Sequence, residues 1–301
     1  MFWVCRNPFD DGHRSVDIDR LRGWIGGTEA VEDIAAAAPL AGLAALLDHE
    51  TPPWPKNEVP PLGHWLYFLP RARQSEIDID GHQRRGGFLP PIDLPRRMFA
   101  GAVITFHAPI AIGAKIERVS TILDVTEKNG TSGRLVFVKL RHEVASDGTL
   151  ALSEEQDIVY REAPAPAGGQ NKDFAPKREA LAARPRGDTR RIVPDPTQLF
   201  RFSALTFNAH RIHYDRDYAR DVEFYPGLVV QGPYIATLLM DHLLRHAPGV
   251  RLHTFRFRAK SPLFDTTPFD VCLARKDNGY DLCAVDADGR EAMSAEAVET
   301  P

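Results

Sequence analysis

The sequence predicts an α+β fold laid out twice along one chain. Three observations carry that prediction. An alanine-rich apolar run at 34–47 precedes long alternating segments that read as antiparallel strands. A second apolar helix at 234–245 precedes another set of strands. Between them, at 163–187, prolines, glycines and mixed charges break the pattern and mark a linker. Helix then sheet, twice, fits a chain of 301 residues as one large domain or about two. The expected division is a first unit at 1–162 with a loosely ordered arm at 1–17, the linker at 163–187, and a second unit at 188–301.

Taken in order, Thr28 with Val31 and Glu32 is a loose helix-start signal. It leads into the helix at 34–47, which Pro39 is expected to interrupt. Residues 51–61 carry five prolines and read as a loop, and 64–69 begins a strand region. A strand follows at 98–106. A long antiparallel pair at 116–128 and 133–145 has Asn129-Gly130 in its hairpin turn, and 153–161 is a further strand. A short helix at 177–183 fits within the linker. The second half has a strand at 188–193, the helix at 234–245, and strands at 251–259, 268–275, 280–286 and 291–298. Asp277-Asn278-Gly279 and Asp286-Ala287-Asp288-Gly289 turn the last hairpins.

Hydrophobic content of 43% and charged content of 26% are ordinary for a globular protein. A formal net charge of −4 gives no general pull toward nucleic acid or anionic membrane. Cys5, Cys272 and Cys283 are odd in number and widely spaced, which argues against a disulfide framework or a zinc ribbon and suits a reducing cytoplasm. The acidic Asp10-Asp11 comes too early for a signal peptide, and the run at 34–47 is too short to span a bilayer.

Chemistry concentrates in 200–244. Asn208-Ala209-His210-Arg211-Ile212-His213 is a polar cluster, and Gln231-Gly232-Pro233 opens the second helix. A basic group beside a glycine-started helix can stabilise a developing oxyanion. Three readings of the cluster stand open. Asn208 caps a short helix that leaves two partly exposed histidines. Alternatively His210 and His213, three apart on one face, form an acid/base site. The third is a metal pair, the two histidines with Asp215 or Asp217, although no other cluster has metal-ligand spacing.

This stretch resembles the signature of the MaoC-like and R-specific enoyl-CoA hydratases, which have a hotdog fold. Their Asp-x-Asn-Pro-(aliphatic)-His motif, aligned on its last histidine, falls on Asn208 to His213. His213 matches the catalytic histidine, Asn208 stands where that family has its catalytic aspartate, and His210 where it has asparagine. The family's Ala-His-Gly, whose glycine N–H binds the thioester oxygen, falls on Val230-Gln231-Gly232. The departures themselves resemble one subgroup: mesaconyl-C4-CoA (3-methylfumaryl-CoA) hydratases, itaconyl-CoA hydratases and mitochondrial type 2 hydroxyacyl-thioester dehydratases. Phe207 to Asp215, Pro60 to Pro70, Leu94 to Gly101 and Glu154 to Arg161 carry that resemblance, which runs from about Asp19 to about Ala297.

The resemblance implies a double hotdog, a pair of units in which a long antiparallel sheet wraps a central helix. It implies reversible addition of water to an α,β-unsaturated CoA thioester, with mesaconyl-C4-CoA or itaconyl-CoA giving citramalyl-CoA as the leading substrates. His213 is the expected water-activating base, Gly232 the oxyanion donor, Asn208 an orienting group and His210 a candidate proton donor. Arg97, Arg211 and Gln231 are expected at the substrate, since arginine pairs in bidentate fashion with carboxylate or phosphate. The alternative for the basic pair at Arg96-Arg97 is a solvated turn, and for Arg211 a simple pair with Asp215. His64 and His107 read as satisfied strand histidines, and the first half as scaffold and one wall of the CoA groove, without an acid/base site of its own. No metal or redox cofactor is implied, and the chain is expected as a homodimer or a self-contained double-hotdog monomer. The competing functions are thioester hydrolysis on the same fold and a non-catalytic acyl-thioester-binding subunit.

Overall fold

The computed structural model describes residues 17–130, 133–162 and 187–301. Residues 1–16 of the arm at 1–17, residues 163–186 of the linker at 163–187, and the short helix at 177–183 lie outside the described residues. A short helix α1 (Ile18–Arg22), capped by Asp17, opens the chain and buries Leu21. Strand β1 (Thr28–Ile34) follows and pairs antiparallel with β3, where the sequence suggested a helix start. β-branched Thr28, Val31 and Ile34 suit the edge of a sheet, and the neighbouring strand overrides the local helix signal. Helix α2 (Ala37–Leu46) buries Leu40, Leu43, Ala44 and Leu46. Pro39 does not interrupt it: the residue sits in the first turn, where a missing N–H costs no helical bond.

The expected strand at 64–69 is instead a 3-10 turn, Gly63–Leu66, flanked by left-handed Leu62 (φ 67°) and Phe68 (φ 55°). Two side-chain bonds hold it there. His64 Nε2 lies 2.8 Å from Glu154 Oε2, and the Trp65 indole donates to the same carboxylate. Phe68 N also donates to Asp33.

The long strands are β2 (Arg96–Phe106), β3 (Lys115–Gly130), β4 (Gly133–Ser146) and β5 (Thr149–Arg161). Past the linker come β6 (Asp188–Ile192) and helix α3 (Pro196–Leu205), which Asp195 caps. Helix α4 (Gly232–His246) precedes β7 (Leu252–Ala259), β8 (Phe269–Lys276), β9 (Gly279–Val285) and β10 (Glu291–Glu299). Among the described residues these ten strands form one sheet in the order β1-β3-β4-β5-β2-β7-β10-β9-β8-β6. Five strands from each half meet at the antiparallel β2–β7 seam. Gly101 lies on that seam, where a Cβ would stand 2.4 Å from the Phe257 carbonyl oxygen.

Every residue of α4 from Tyr234 to Leu244 is buried. A helix apolar on nearly all sides belongs inside a fold rather than on it. One core cluster takes in Leu40 and Leu43 of α2, Ile104 of β2, Leu239 and Leu243 of α4, and Phe255 and Phe257 of β7. It therefore runs through both halves. A second cluster lies under α1 in the first half and includes Ile122, Val136, Ile158 and Tyr160. Among the described residues no helix is long and apolar enough to cross a membrane.

Candidate active site

The site forms where two loops from opposite halves meet. Residues 205–213 leave α3, and Asn208 accepts a hydrogen bond from His210 N, 3.0 Å. This is an Asx turn rather than a helix cap; it bends the chain so that a 3-10 turn, Arg211–His213, can begin. The bend brings the His210 and His213 rings edge to face, 5.2 Å between centroids.

From the first half, the turn Asp78 to His82 docks on this loop. Arg211 N donates to Asp80 O at 2.9 Å, and the Arg211 guanidinium to Ile79 O at 3.1 Å. Gly81, at φ +91°, makes the approach possible: a Cβ there would lie 1.8 Å from the Ala209 carbonyl oxygen. His82 follows immediately, its ring 4.1 Å from that of His210. Asp80 holds His82 twice, accepting from its backbone N at 2.8 Å and lying 2.9 Å from Nδ1. The first half, expected to serve as scaffold and one wall of the groove, thus also brings an imidazole and a carboxylate against the His210 loop. His82 and Asp80 went unread because their partner loop lies more than a hundred residues away. The only local signal was an Asp-Gly turn followed by histidine in an otherwise polar loop.

His213 is buried, and its Nδ1 bonds Val229 O at 2.7 Å. That bond places the proton on Nδ1 and leaves Nε2 as the basic nitrogen. Burial pulls the His213 pKa to about 4, with the Val229 bond opposing. Burial likewise holds His210 well below the ordinary histidine value, with further lowering from His82, His213 and Arg97. His82 is lowered by burial first; its bond to Asp80 opposes, and the positive charges of Arg97 and Arg85 add to the lowering. Burial works to raise the Asp80 carboxyl, but its contacts with His82 outweigh that and hold it low. At neutral pH the resting site therefore holds uncharged imidazoles beside a carboxylate.

Val229 leads directly through Val230 and Gln231 to Gly232, the first residue of α4. Unpaired backbone N–H groups at a helix start favour negative charge. Gln231 was expected at the substrate, but its amide is buried and donates to Leu199 O (2.9 Å) and Ser203 Oγ (3.0 Å) of α3. It fixes the start of α4 to α3. Arg211 is also committed: it pairs with Asp215 at 2.7 Å and lies over the Tyr218 ring at 4.1 Å. The same pair removes Asp215 from the metal set suggested by sequence.

Arg96 and Arg97 part company. Arg96 is buried, ion-paired with Glu223 at 3.0 Å and stacked on Tyr225. Arg97 is half-buried on β2 and has no carboxylate partner among the described residues. Its charge bears on both His82 and His210. His64 and His107 lie elsewhere, bonded to Glu154 and Ser153. One trio, Asp80, His82 and His210, brings its donor atoms within 4.8 Å of one another. The guanidinium charges of Arg85 and Arg97 beside it oppose a cation, and the trio is better read as proton-handling groups.

Comparison with known proteins bears on family and fold. The family model for hydroxyacyl-thioester dehydratase type 2 matches residues 62–265, a span that takes in His82, Arg97, His213 and Gly232. A mesaconyl-C(4)-CoA hydratase from Chloroflexus aurantiacus is 49% identical over 274 residues, covering 90% of this chain and 95% of that protein. A MaoC-like dehydratase from Phytophthora capsici superposes with TM-score 0.67 at 14% identity, over 95% of this chain and 98% of the other. A Mycobacterium tuberculosis protein described as having a double hotdog fold gives TM-score 0.53 at 12% identity, over 94% and 98%.

Proposed function

The chain belongs to the hydroxyacyl-thioester dehydratase type 2 family and is an acyl-thioester hydratase, and from that premise we propose that it adds water to mesaconyl-C4-CoA, giving citramalyl-CoA. The observation that carries the substrate assignment is Arg97. A half-buried guanidinium without a carboxylate partner among the described residues, its charge felt by the His82 and His210 imidazoles, suits a substrate whose reacting carbon itself bears a carboxylate. In mesaconyl-C4-CoA the β-carbon carries that group, so binding the carboxylate also positions the carbon that water attacks. Itaconyl-CoA also carries a carboxylate and is the second substrate to assay.

In hydration, His213 Nε2 takes a proton from water as its oxygen bonds to the β-carbon. The double-bond electrons move onto the thioester oxygen, which the Gly232 N–H receives at the positive end of α4. A proton then reaches the α-carbon and the thioester re-forms. Asn208 holds the bend that carries His210 and His213. The chemistry calls for neither metal nor redox cofactor, and CoA enters only as part of the substrate. The CoA portion is assigned to the groove between the halves, and the widely spaced cysteines support a cytoplasmic setting.

The test follows absorbance of the conjugated thioester alongside free thiol. Loss of conjugation without thiol release is expected. Thiol release would mean hydrolysis, and binding with neither change would mean a binding subunit. On specificity, kcat/KM for mesaconyl-C4-CoA should exceed that for crotonyl-CoA, which lacks the carboxylate, and Arg97→Gln should erase most of the difference. Equal or better use of crotonyl-CoA by the wild type would remove the substrate assignment.

A further inference from the structure

We propose that His82, held by Asp80 and delivered from the first half of the chain, is a catalytic residue that exchanges a proton with the substrate α-carbon, opposite His213. The proposal rests on the hydratase reading above. An acid/base position is open because Asn208, an amide, stands where the related signature has a carboxylic acid, and an amide carries no proton to give at neutral pH. The structure places a carboxylate and an imidazole beside that position from another loop. Asp80 fixes the His82 ring through Nδ1, and among the described residues Nε2 has no hydrogen-bond partner. The ring lies 4.1 Å from that of His210, tilted by 42°, and His210 in turn meets His213 at 5.2 Å. Three imidazoles thus run in series from a carboxylate to a base whose tautomer Val229 fixes.

The surrounding charges are suited to a proton that comes and goes. Asp80 favours the charged ring, whereas burial, Arg97 and Arg85 disfavour it. A substrate carboxylate seated on Arg97 offsets part of that opposition, so binding itself promotes the imidazolium. Hydration then balances. Water loses one proton to His213 Nε2 and its oxygen bonds the β-carbon. The enolate electron pair returns to form the α-carbon–hydrogen bond with the proton from His82 Nε2. One proton then passes from His213 to His82, through solvent or along the His210 ring, and restores both. Dehydration is the reverse: His82 removes the α-proton and protonated His213 releases the hydroxyl as water.

The two steps separate in deuterium oxide. The purified full-length chain is given the β-hydroxyacyl-CoA product, and deuterium at the α-carbon is followed by mass spectrometry beside the rate of dehydration. His213→Ala should lose dehydration yet keep α-exchange. His82→Gln should lose both by about 10²–10⁴-fold, with melting temperature and substrate affinity near wild type. Should His82→Gln fold poorly, Asp80→Asn, which keeps the shape, should slow exchange at least about tenfold. Free imidazole should also restore exchange to His82→Ala, which a merely packed ring would not allow. A wild type that hydrates, with His82→Gln within threefold of it in both rates, overturns this proposal and leaves the hydratase reading intact. A wild type that neither hydrates nor exchanges with any conjugated thioester overturns both.

Discussion

Burial sets the charge of His213. Its pKa stands at about 4 rather than the ordinary 6.5, so between those values the unfolded chain binds a proton that the folded chain refuses. Stability is therefore complete above about pH 6.5 and falls as the pH drops toward 4, by up to roughly 3 kcal/mol from this residue. Burial shifts His210 the same way. Denaturant titrations at pH 7 and pH 4.5 should show that loss, and His213→Gln should lessen it. In catalysis, His213→Ala should lower kcat by about 10²–10⁴ with little change in binding. Asn208→Asp gives a finer reading. The carboxylate would keep the bond to His210 N while adding negative charge, so the rising limb of the pH–rate profile should move to higher pH. A fully active variant with an unmoved profile would mean that charge at position 208 does not reach the histidine that acts as base.

Two contacts decide whether the elements hold the site. Asp241, buried within α4, meets His49 after α2, Arg190 of β6 at 2.7 Å and Arg245 at 3.0 Å. Its removal strands two guanidinium groups and the His49 ring, and Asp241→Ala should cost about 3–5 kcal/mol of stability, measured by denaturation. The second contact is Gly81 against Ala209. Gly81→Ala puts a methyl group on a carbonyl oxygen in a left-handed turn, at a cost of about 1–3 kcal/mol or a shift of the turn off the His210 loop. Activity should fall well below wild type even at temperatures where the variant remains folded; unchanged kcat would show that the approach of the two loops is not needed. The same contact shows what was legible in the chain. Strands β3, β4, β5 and β7 to β10 follow from alternation and turn residues, and α4 from its apolar run. His213 and Gly232 follow from a motif. Strand β1, the turn at 63–66 and the Asp80–His82 pair do not, since each is fixed by a partner distant in sequence: β3, Glu154 and the 208–213 loop respectively. Gln231 stood beside the motif, yet only its bonds to α3 reveal that it serves the frame, and Arg211 takes the Asp215 partner that the sequence also allowed.

At the scale of the molecule, one continuous core joins helices from both halves beneath a seam that only glycine fits at position 101. Thermal unfolding should therefore appear as a single cooperative transition in calorimetry, and Gly101→Val should lower its midpoint sharply. Two resolved transitions would mean that the halves are energetically separate. The seam also bears on stoichiometry. Among the described residues the imidazole cluster occurs once and draws on both halves, His82 from one and His210 with His213 from the other. A pair of identical subunits must present the same pocket twice. In a fused pair one of the two pockets can be lost without loss of the other. A tight-binding inhibitor should then titrate to one equivalent for each 33.6 kDa chain, with no second event.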